Sequence, residues 1–104
     1  MARFEVRANL NRATRARVPY LLDLQADMLS ALDTRLVAPL VPVAEFGPAA
    51  TRLNPALRIG NRNLIMDTAL MAGVPKKLLG ERVASLADRS ADILGAVDFL
   101  VSGV

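Results

Sequence analysis

The spacing of the apolar residues changes along the chain, and this change limits the fold more than any other feature. Near the N-terminus, Phe4, Val6 and Ala8 alternate with charged residues, which is the period-two pattern of a strand with one buried face. Near the C-terminus, the apolar residues follow the spacing of one helical face. Those residues are Ile93, Val97, Leu100 and Val101. Gly103 suits the left-handed position that often ends a helix, so we expect one helix at the C-terminus.

Turn-forming residues divide the first three quarters of the chain into about six short strands. The predicted strands cover residues 2–9, 20–25, 34–43, 57–60, 64–67 and 69–74. The strand at 34–43 is apolar on both faces, as in a strand packed from two sides. The charged stretch 9–17 predicts a long hairpin loop, and Leu79-Gly80 predicts a further turn. Short strands between turns favour a small barrel or a curled sheet, with the helix over one opening.

Composition excludes most of the usual catalytic sites. The chain has no Cys, which removes disulfides, thiolate nucleophiles and sulfur-ligated metals. It has no His, which is the commonest general base and the commonest zinc ligand. The glycine-rich phosphate-binding motifs and the nucleophile-elbow motif do not occur in it. We therefore expect a protein without cofactor or metal that is not an enzyme.

One catalytic alternative stays open, because ribonuclease chemistry built from arginine and an acid needs no histidine. Arg17 and Arg35 are the residues at which substitution would test it. Asp23 and Asp27 are four residues apart in a strand-to-turn region and do not share a face, so we interpret them as surface acids or turn caps. Three Phe and one Tyr make a poor stacking platform for single-stranded nucleic acid.

Length and hydropathy limit the organisation of the chain. Its 104 residues are the length of one domain, which we place at residues 1–104. The longest apolar run, 36–44, contains two prolines and falls short of the about 20 residues that span a membrane. Residues 1–5 lack the apolar stretch of a signal peptide, so a cytoplasmic protein is expected. The apolar fraction of 53% exceeds what a small barrel can bury, which favours a homodimer with the last helix near the two-fold axis.

Basic residues are concentrated at the N-terminus, although the formal net charge is only +3. Glu5 is the only acid among the first seventeen residues. The basic residues in that stretch are Arg3, Arg7, Arg12, Arg15 and Arg17. Two interpretations stay open, a solvated strand edge and loop or a docking patch for an acidic chain.

Several short stretches stand in a fixed order along the chain. They are Asp-Leu-Gln-Ala-Asp at 23–27, Val-Ala-Pro-Leu at 37–40, Leu-Arg-Ile-Gly at 57–60, Val-Pro at 74–75, Leu-Gly-Glu at 79–81 and the tail from 85 to 104. None of them is specific alone, but the ordered set and the total length resemble the CcdB family, the toxins of type II toxin–antitoxin modules. The likeness runs over nearly the whole chain and is weakest at 9–17 and 45–55.

This resemblance implies a mostly β fold, an SH3-like barrel with a small side sheet and one C-terminal α-helix. It also implies a non-catalytic homodimer that binds and poisons DNA gyrase at its A subunit. A CcdA-like antitoxin with a disordered acidic segment would neutralise the toxin, and the toxin would reach DNA only indirectly, through the antitoxin complex. The implied roles are plasmid maintenance and transcription autoregulation. The antitoxin is expected at the basic N-terminal residues Arg7, Arg12, Arg15 and Arg17.

The resemblance also assigns gyrase-binding residues to a loop and to the end of the helix. They are Met28, Leu29, Asp98, Val101, Ser102, Gly103 and Val104. Ser102 stands where the family has Trp, and Asp98 stands where it has Asn. These departures keep two alternatives open: a protein of the same fold with a lost or redirected target, kept for antitoxin binding and autoregulation, or an RNA-cleaving toxin of the same barrel fold.

Overall fold

The computed structural model describes residues 1–103, and every strand in that range belongs to one antiparallel sheet. The strands are β1 (Glu5–Asn9), β2 (Tyr20–Asp23), β3 (Thr34–Pro42), β4 (Ala56–Ile59), β5 (Arg62–Met66), β6 (Ala72–Pro75) and β7 (Leu79–Ser85). A one-turn helix, α1 (Val43–Phe46), follows β3, and the C-terminal helix is α2 (Ser90–Ser102). Short 3₁₀ turns lie at Asp27–Leu29, Thr68–Leu70, Lys76–Leu78 and Ala87–Arg89.

Strand β3 is central to the sheet because it pairs with three other strands. The sheet order is β4-β5-β3-β2-β1-β7, and β6 lies off this path beside β3. On the edge of β3 that faces away from β2, Thr34–Val37 pair with β6 and Leu40–Pro42 pair with β5. One nine-residue strand thus serves two partners along a single edge, and the sheet curls into a half-barrel.

The main hydrophobic core lies between one face of the sheet and α2. It includes Val6, Leu22, Leu40, Leu57, Leu64, Met66, Ile93 and Ala96. A smaller cluster of Leu21, Val37 and Leu79 covers the opposite face, with Val18 and Val74 packed against it. Side chains alternate between the two clusters along β2 and β3, so both strands are buried on both faces. This confirms the two-sided packing predicted for 34–43.

The predicted fold class is confirmed: the protein is mostly β, with a curled antiparallel sheet and one C-terminal helix, consistent with an SH3-like barrel. Gly103 takes the predicted left-handed conformation, with φ of 74°, and its N–H donates to the carbonyl of Phe99 at 2.9 Å. Over the described residues, no helix has the length and apolarity needed to cross a membrane.

Strand β7 is the longest element that the sequence pattern failed to predict. Residues 79–80 read as a turn, whereas Leu79–Ser85 form a seven-residue strand paired with β1. Only Leu79 is buried in it, and Glu81 and Arg82 are exposed, so the strand lacks the alternation by which the others were recognised. Its pairing with β1 depends on residues about seventy positions away in the sequence, which no local pattern can indicate.

Candidate binding surfaces

The loop between β2 and β3 carries large apolar side chains that point into solvent. We call residues 24–33 the β2–β3 loop. Met28 is 89% exposed, and Leu29 and Leu32 are about half exposed. A cluster of large apolar side chains exposed to solvent is typical of an interaction site. Two of the residues assigned to gyrase binding, Met28 and Leu29, therefore lie on a surface suited to a partner.

A buried ion pair lies at the base of this loop. The Asp23 Oδ2 atom is 2.8 Å from Arg35 Nε and 2.8 Å from Arg35 Nη2. The side chains of Asp23 and Arg35 are 1% and 0% exposed. Burial raises the pKa of Asp23 above its ordinary value, although hydrogen bonds from Arg35 and from the main chain of Gln25 oppose the rise.

This pair corrects two interpretations made from the sequence. Asp23 is not a surface acid, although its Oδ1 atom does cap the turn by accepting from the N–H of Gln25 at 2.9 Å. Asp27 is exposed, and its carboxylate accepts from the N–H of Arg3 at 2.7 Å. Arg35, one of the two arginines named for RNA cleavage, is sealed inside the protein and cannot contact an external phosphate.

The second group of assigned residues lies at the end of α2. Asp98, Ser102 and Gly103 are exposed, and Val101 is 74% exposed. The Ser102 hydroxyl donates to the main-chain carbonyl of Asp98 at 2.7 Å, one helical turn back. Ser102 therefore contributes no apolar anchor at this end. Val104, also assigned to gyrase binding, lies outside the described residues.

The structure does not show the loop and the helix end as one continuous site. Apart from the sheet, α2 packs chiefly against the 3₁₀ turns Thr68–Leu70 and Ala87–Arg89, and neither turn carries Met28 or Leu29. The apolar stripe along the helix is buried at Ile93 but exposed at Leu100 and Val101. The predicted stripe thus leaves the core in its last turn, which gives α2 an uncovered apolar end.

The basic N-terminal residues divide into two groups. Arg12, Arg15 and Arg17 are exposed on the β1–β2 loop, residues 10–19, and within residues 1–103 none of them forms an ion pair. The loop is held by Asn9, whose Nδ2 atom donates to Thr14 Oγ1 at 3.0 Å and to the carbonyl of Val18 at 2.9 Å. The three cationic side chains therefore extend from an ordered loop.

Arg7 differs from the other three because its side chain is mostly buried and already paired. Its Nη2 atom lies 3.1 Å from Glu5 Oε1, and its Nη1 atom donates to the carbonyl of Gly80 at 3.2 Å. Arg82 lies 2.9 Å from the other oxygen of Glu5. A hydrogen bond from the main chain of Ala2, together with these arginines, lowers the pKa of Glu5, against the opposing effect of its burial.

An apolar groove of about 350 Å³ lies beside the β1–β2 loop. It is lined by Leu21 and Val37 of the smaller cluster and by Leu70, which is 61% exposed. Asn11 and Thr14 of the β1–β2 loop also line it. The groove thus lies beside the loop that carries Arg12, Arg15 and Arg17.

A second groove of about 480 Å³ separates α2 from the loop before β4. The guanidinium of Arg52 lies 4.5 Å from the centre of the Phe99 ring, a cation–π contact that ties this loop to the helix. Arg89 pairs with Asp92 at 3.0 Å on the same side. Both arginines that line the groove are thus already engaged.

Sequence reasoning missed the buried polar residues, although a signal for them existed. If strands 20–25 and 34–43 alternate faces, Asp23 lies on the same face as Leu21, and Arg35 lies on the same face as Val37. Two opposite charges at buried positions of adjacent strands indicate an ion pair.

Among residues 1–103, no three acidic side chains come together as a metal site would require.

Comparison with known proteins places the chain in a family. The family model described as CcdB protein matches residues 3–103, which is nearly the whole chain. The match agrees with the ordered stretches in the sequence and with the strands-then-helix architecture. The chain therefore belongs to the CcdB family and is a toxin of a toxin–antitoxin module.

Proposed function

We propose that this toxin acts by binding, without catalysis of its own, and that it poisons DNA gyrase through the A subunit. The observation that carries the proposal is the β2–β3 loop, which presents Met28 and Leu29 to solvent above a buried ion pair. Large apolar side chains on an ordered loop can fill a partner's pocket at low entropic cost. The family's gyrase contacts fall at these positions.

The end of α2 forms the second part of this proposed surface. Val101 is apolar and exposed, and Gly103 matches the glycine of the family tail. Ser102 lacks an aromatic ring, and Asp98 adds a negative charge. An aromatic anchor at an interface is worth about 2 kcal/mol or more, so gyrase affinity is lower here than in a relative with Trp.

The toxin is a homodimer in this proposal, with the exposed end of α2 near the two-fold axis. Membership of the family implies a dimer in general. The exposed Leu100 supports this placement, because a partner subunit would cover it. The dimer would then present two copies of each surface to gyrase.

The antitoxin is proposed to bind along the β1–β2 loop. Arg12, Arg15 and Arg17 supply charge complementary to an acidic segment, and the adjoining groove accepts its apolar side chains. Arg7 contributes less because Glu5 already pairs with it. Contact with DNA occurs through the antitoxin, and together they maintain a plasmid and regulate their own transcription in the cytoplasm.

A second candidate function is a toxin of the same fold whose target is lost or changed. Ser102 and Asp98 are the observations that favour it, since both alter the helix end. An RNA-cleaving toxin has less support, because Arg35 is buried and Arg17 has no acidic partner within residues 1–103.

Gyrase supercoiling assays with purified protein test the proposal. We expect inhibition together with trapped, cleaved DNA, and no cleavage of RNA or DNA by the protein alone. Inhibition that appears only in a Ser102→Trp variant would favour the lost-target candidate. Absence of inhibition in both proteins would overturn gyrase as the target.

A further inference from the structure

The side-chain amide of Gln25 joins the β2–β3 loop to strand β3. Its Nε2 atom donates to the carbonyl of Leu29 at 2.9 Å, and its Oε1 atom accepts from the N–H of Leu36 at 3.1 Å. Gln25 is only 8% exposed. One buried side chain thus fixes the carbonyl next to the exposed Met28 relative to the sheet.

The main chain of Gln25 is fixed by the buried ion pair. Its N–H donates to Asp23 Oδ1 at 2.9 Å, and its carbonyl accepts from Arg35 Nη2 at 3.4 Å. Asp23 lies on β2 and is paired in register with Val37 of β3. Arg35 lies on β3, two residues before Val37. The loop is therefore connected to the centre of the sheet through hydrogen bonds at every polar group of one residue.

Stability alone does not account for this arrangement. Burying an ion pair has a large desolvation cost, and an apolar set of similar volume is often at least as stable. Within residues 1–103, the Nη1 atom of Arg35 has no hydrogen-bond partner, so the pair is not fully satisfied. Apolar side chains could fill the same space, but they could not bond the N–H and the carbonyl of Gln25.

Main-chain bonds hold the loop at both ends, where the N–H of Leu24 donates to the carbonyl of Leu36 and the N–H of Lys76 donates to the carbonyl of Asp33. Two further bonds reach the middle of the loop. The carboxylate of Asp27 accepts from the N–H of Arg3, and the carbonyl of Ser30 accepts from Lys76 Nζ. Both bonds are exposed, so water competes for their groups. Among these bonds to residues 27–30, the one from Gln25 to Leu29 comes from a buried side chain.

We propose that Gln25 is a positioning residue that, supported by Asp23 and Arg35, fixes the conformation in which the β2–β3 loop presents Met28 and Leu29. The inference rests on the proposed function only in taking that loop as the binding surface. Fixing the loop before binding reduces the conformational entropy that the partner would otherwise have to restrict. Loss of Gln25 should thus loosen the loop and weaken binding while the fold persists.

The chain offers a matched control for this test. Asn54 is also 8% exposed, and its amide likewise makes two bonds, donating to the carbonyl of Met66 at 3.1 Å and accepting from the N–H of Ala50 at 3.2 Å. It anchors a different loop, so Asn54→Leu removes an equivalent buried amide without touching the β2–β3 loop. Gln25→Met removes the amide under study with little change in volume.

Hydrogen exchange on the unliganded protein is the first readout, because it needs no partner. We expect exchange at the N–H groups of Leu29, Ser30 and Leu32 to be about tenfold faster or more in Gln25→Met and unchanged in Asn54→Leu. Gln25→Asn, which keeps an amide too short to reach Leu29, should give the same local effect if Gln25→Met folds poorly. Unchanged exchange in a folded Gln25 variant would overturn the inference.

Binding of the gyrase A dimerisation region is the second readout. We expect about tenfold weaker binding for Gln25→Met than for Asn54→Leu. Equal binding by the two variants would overturn the role in presentation. If the wild-type protein does not bind gyrase but loop exchange rises in the Gln25 variants, the proposed target fails while the positioning of the loop is supported.

Discussion

The β2–β3 loop and the end of α2 are both assigned to partner binding, but they are built differently. The loop retains large apolar side chains and is held from below by buried polar groups. The helix end carries Ser102, whose hydroxyl bonds to its own helix, and an exposed Asp98. Under the proposed function, binding energy is expected to be concentrated in the loop, because the helix end lacks an aromatic side chain.

The largest expected effect comes from breaking the buried ion pair at the base of the β2–β3 loop. Arg35→Met leaves Asp23 buried without its partner, which should lower the free energy of unfolding by about 3–5 kcal/mol. Asp23→Leu combined with Arg35→Met should recover most of that loss, because no uncompensated charge remains. Urea unfolding measures both.

The matched control for this prediction is Arg82→Met. Arg82 pairs with Glu5 but its side chain is 55% exposed, so solvent screens the interaction and we expect a change of about 1 kcal/mol or less. If Arg35→Met also lowered the free energy of unfolding by only about 1 kcal/mol, the importance assigned to the buried pair would be contradicted.

The next largest effect comes from adding an aromatic side chain at the end of α2. Ser102→Trp should tighten binding to the gyrase A dimerisation region by about thirtyfold, which corresponds to about 2 kcal/mol for an aromatic anchor. Isothermal titration calorimetry measures the change. Ser90→Trp, at the opposite end of α2, controls for added aromatic surface. Equal affinity of Ser102→Trp and wild type would mean that this helix end is not in the interface.

A smaller effect separates the antitoxin surface from both regions. Replacing Arg12, Arg15 and Arg17 together by Gln should weaken binding of an acidic antitoxin segment by about tenfold at low salt, and less as salt rises. Gyrase binding should not change, since these side chains lie on the β1–β2 loop. Unaltered antitoxin affinity at low salt would remove this loop from the proposed interface.

The smallest effect concerns the acid dependence of stability. The pKa of Glu5 is lowered in the folded protein, so its stabilising contribution is present above the ordinary pKa of a glutamate and is lost as pH falls through the folded value. Glu5→Gln should therefore reduce the loss of stability below about pH 4, by about 1 kcal/mol or less. Thermal unfolding from pH 6 to pH 3 compares the two proteins.

Asp23 acts in the opposite sense and must be separated from Glu5. Its pKa is raised, so the folded state holds the proton more tightly than the unfolded state, and the cost of its buried charge is relieved as pH falls. The difference between wild type and Glu5→Gln cancels this contribution. A difference that does not vary with pH would contradict the lowered pKa of Glu5.

Local pattern predicted much of the fold because it reports burial. Alternation identified β1, apolar residues on both faces indicated the two-sided packing of β3, and the helical spacing identified α2. The pattern failed at β7, whose pairing with β1 is not accompanied by apolar alternation.

The exposed residues of the candidate site could be predicted from the sequence, but the buried residues that support them could not. Met28, Leu29 and the helix end follow from family resemblance, since their side chains face outward and form no pattern of their own. Asp23, Gln25 and Arg35 are polar residues whose burial depends on the pairing of β2 with β3. A sequence shows their charge but not their partner, so the support of the loop became visible only in three dimensions.

The most direct test of the central claim compares Met28→Glu with Val43→Glu in binding to the gyrase A dimerisation region. Both substitutions put a carboxylate on an exposed apolar position, but Val43 lies on α1, which follows the end of β3 opposite to the β2–β3 loop. We expect Met28→Glu to weaken binding by about thirtyfold or more and Val43→Glu to match wild type. Equal binding by both variants would contradict the account, because the β2–β3 loop would then not be the surface by which this toxin binds its target.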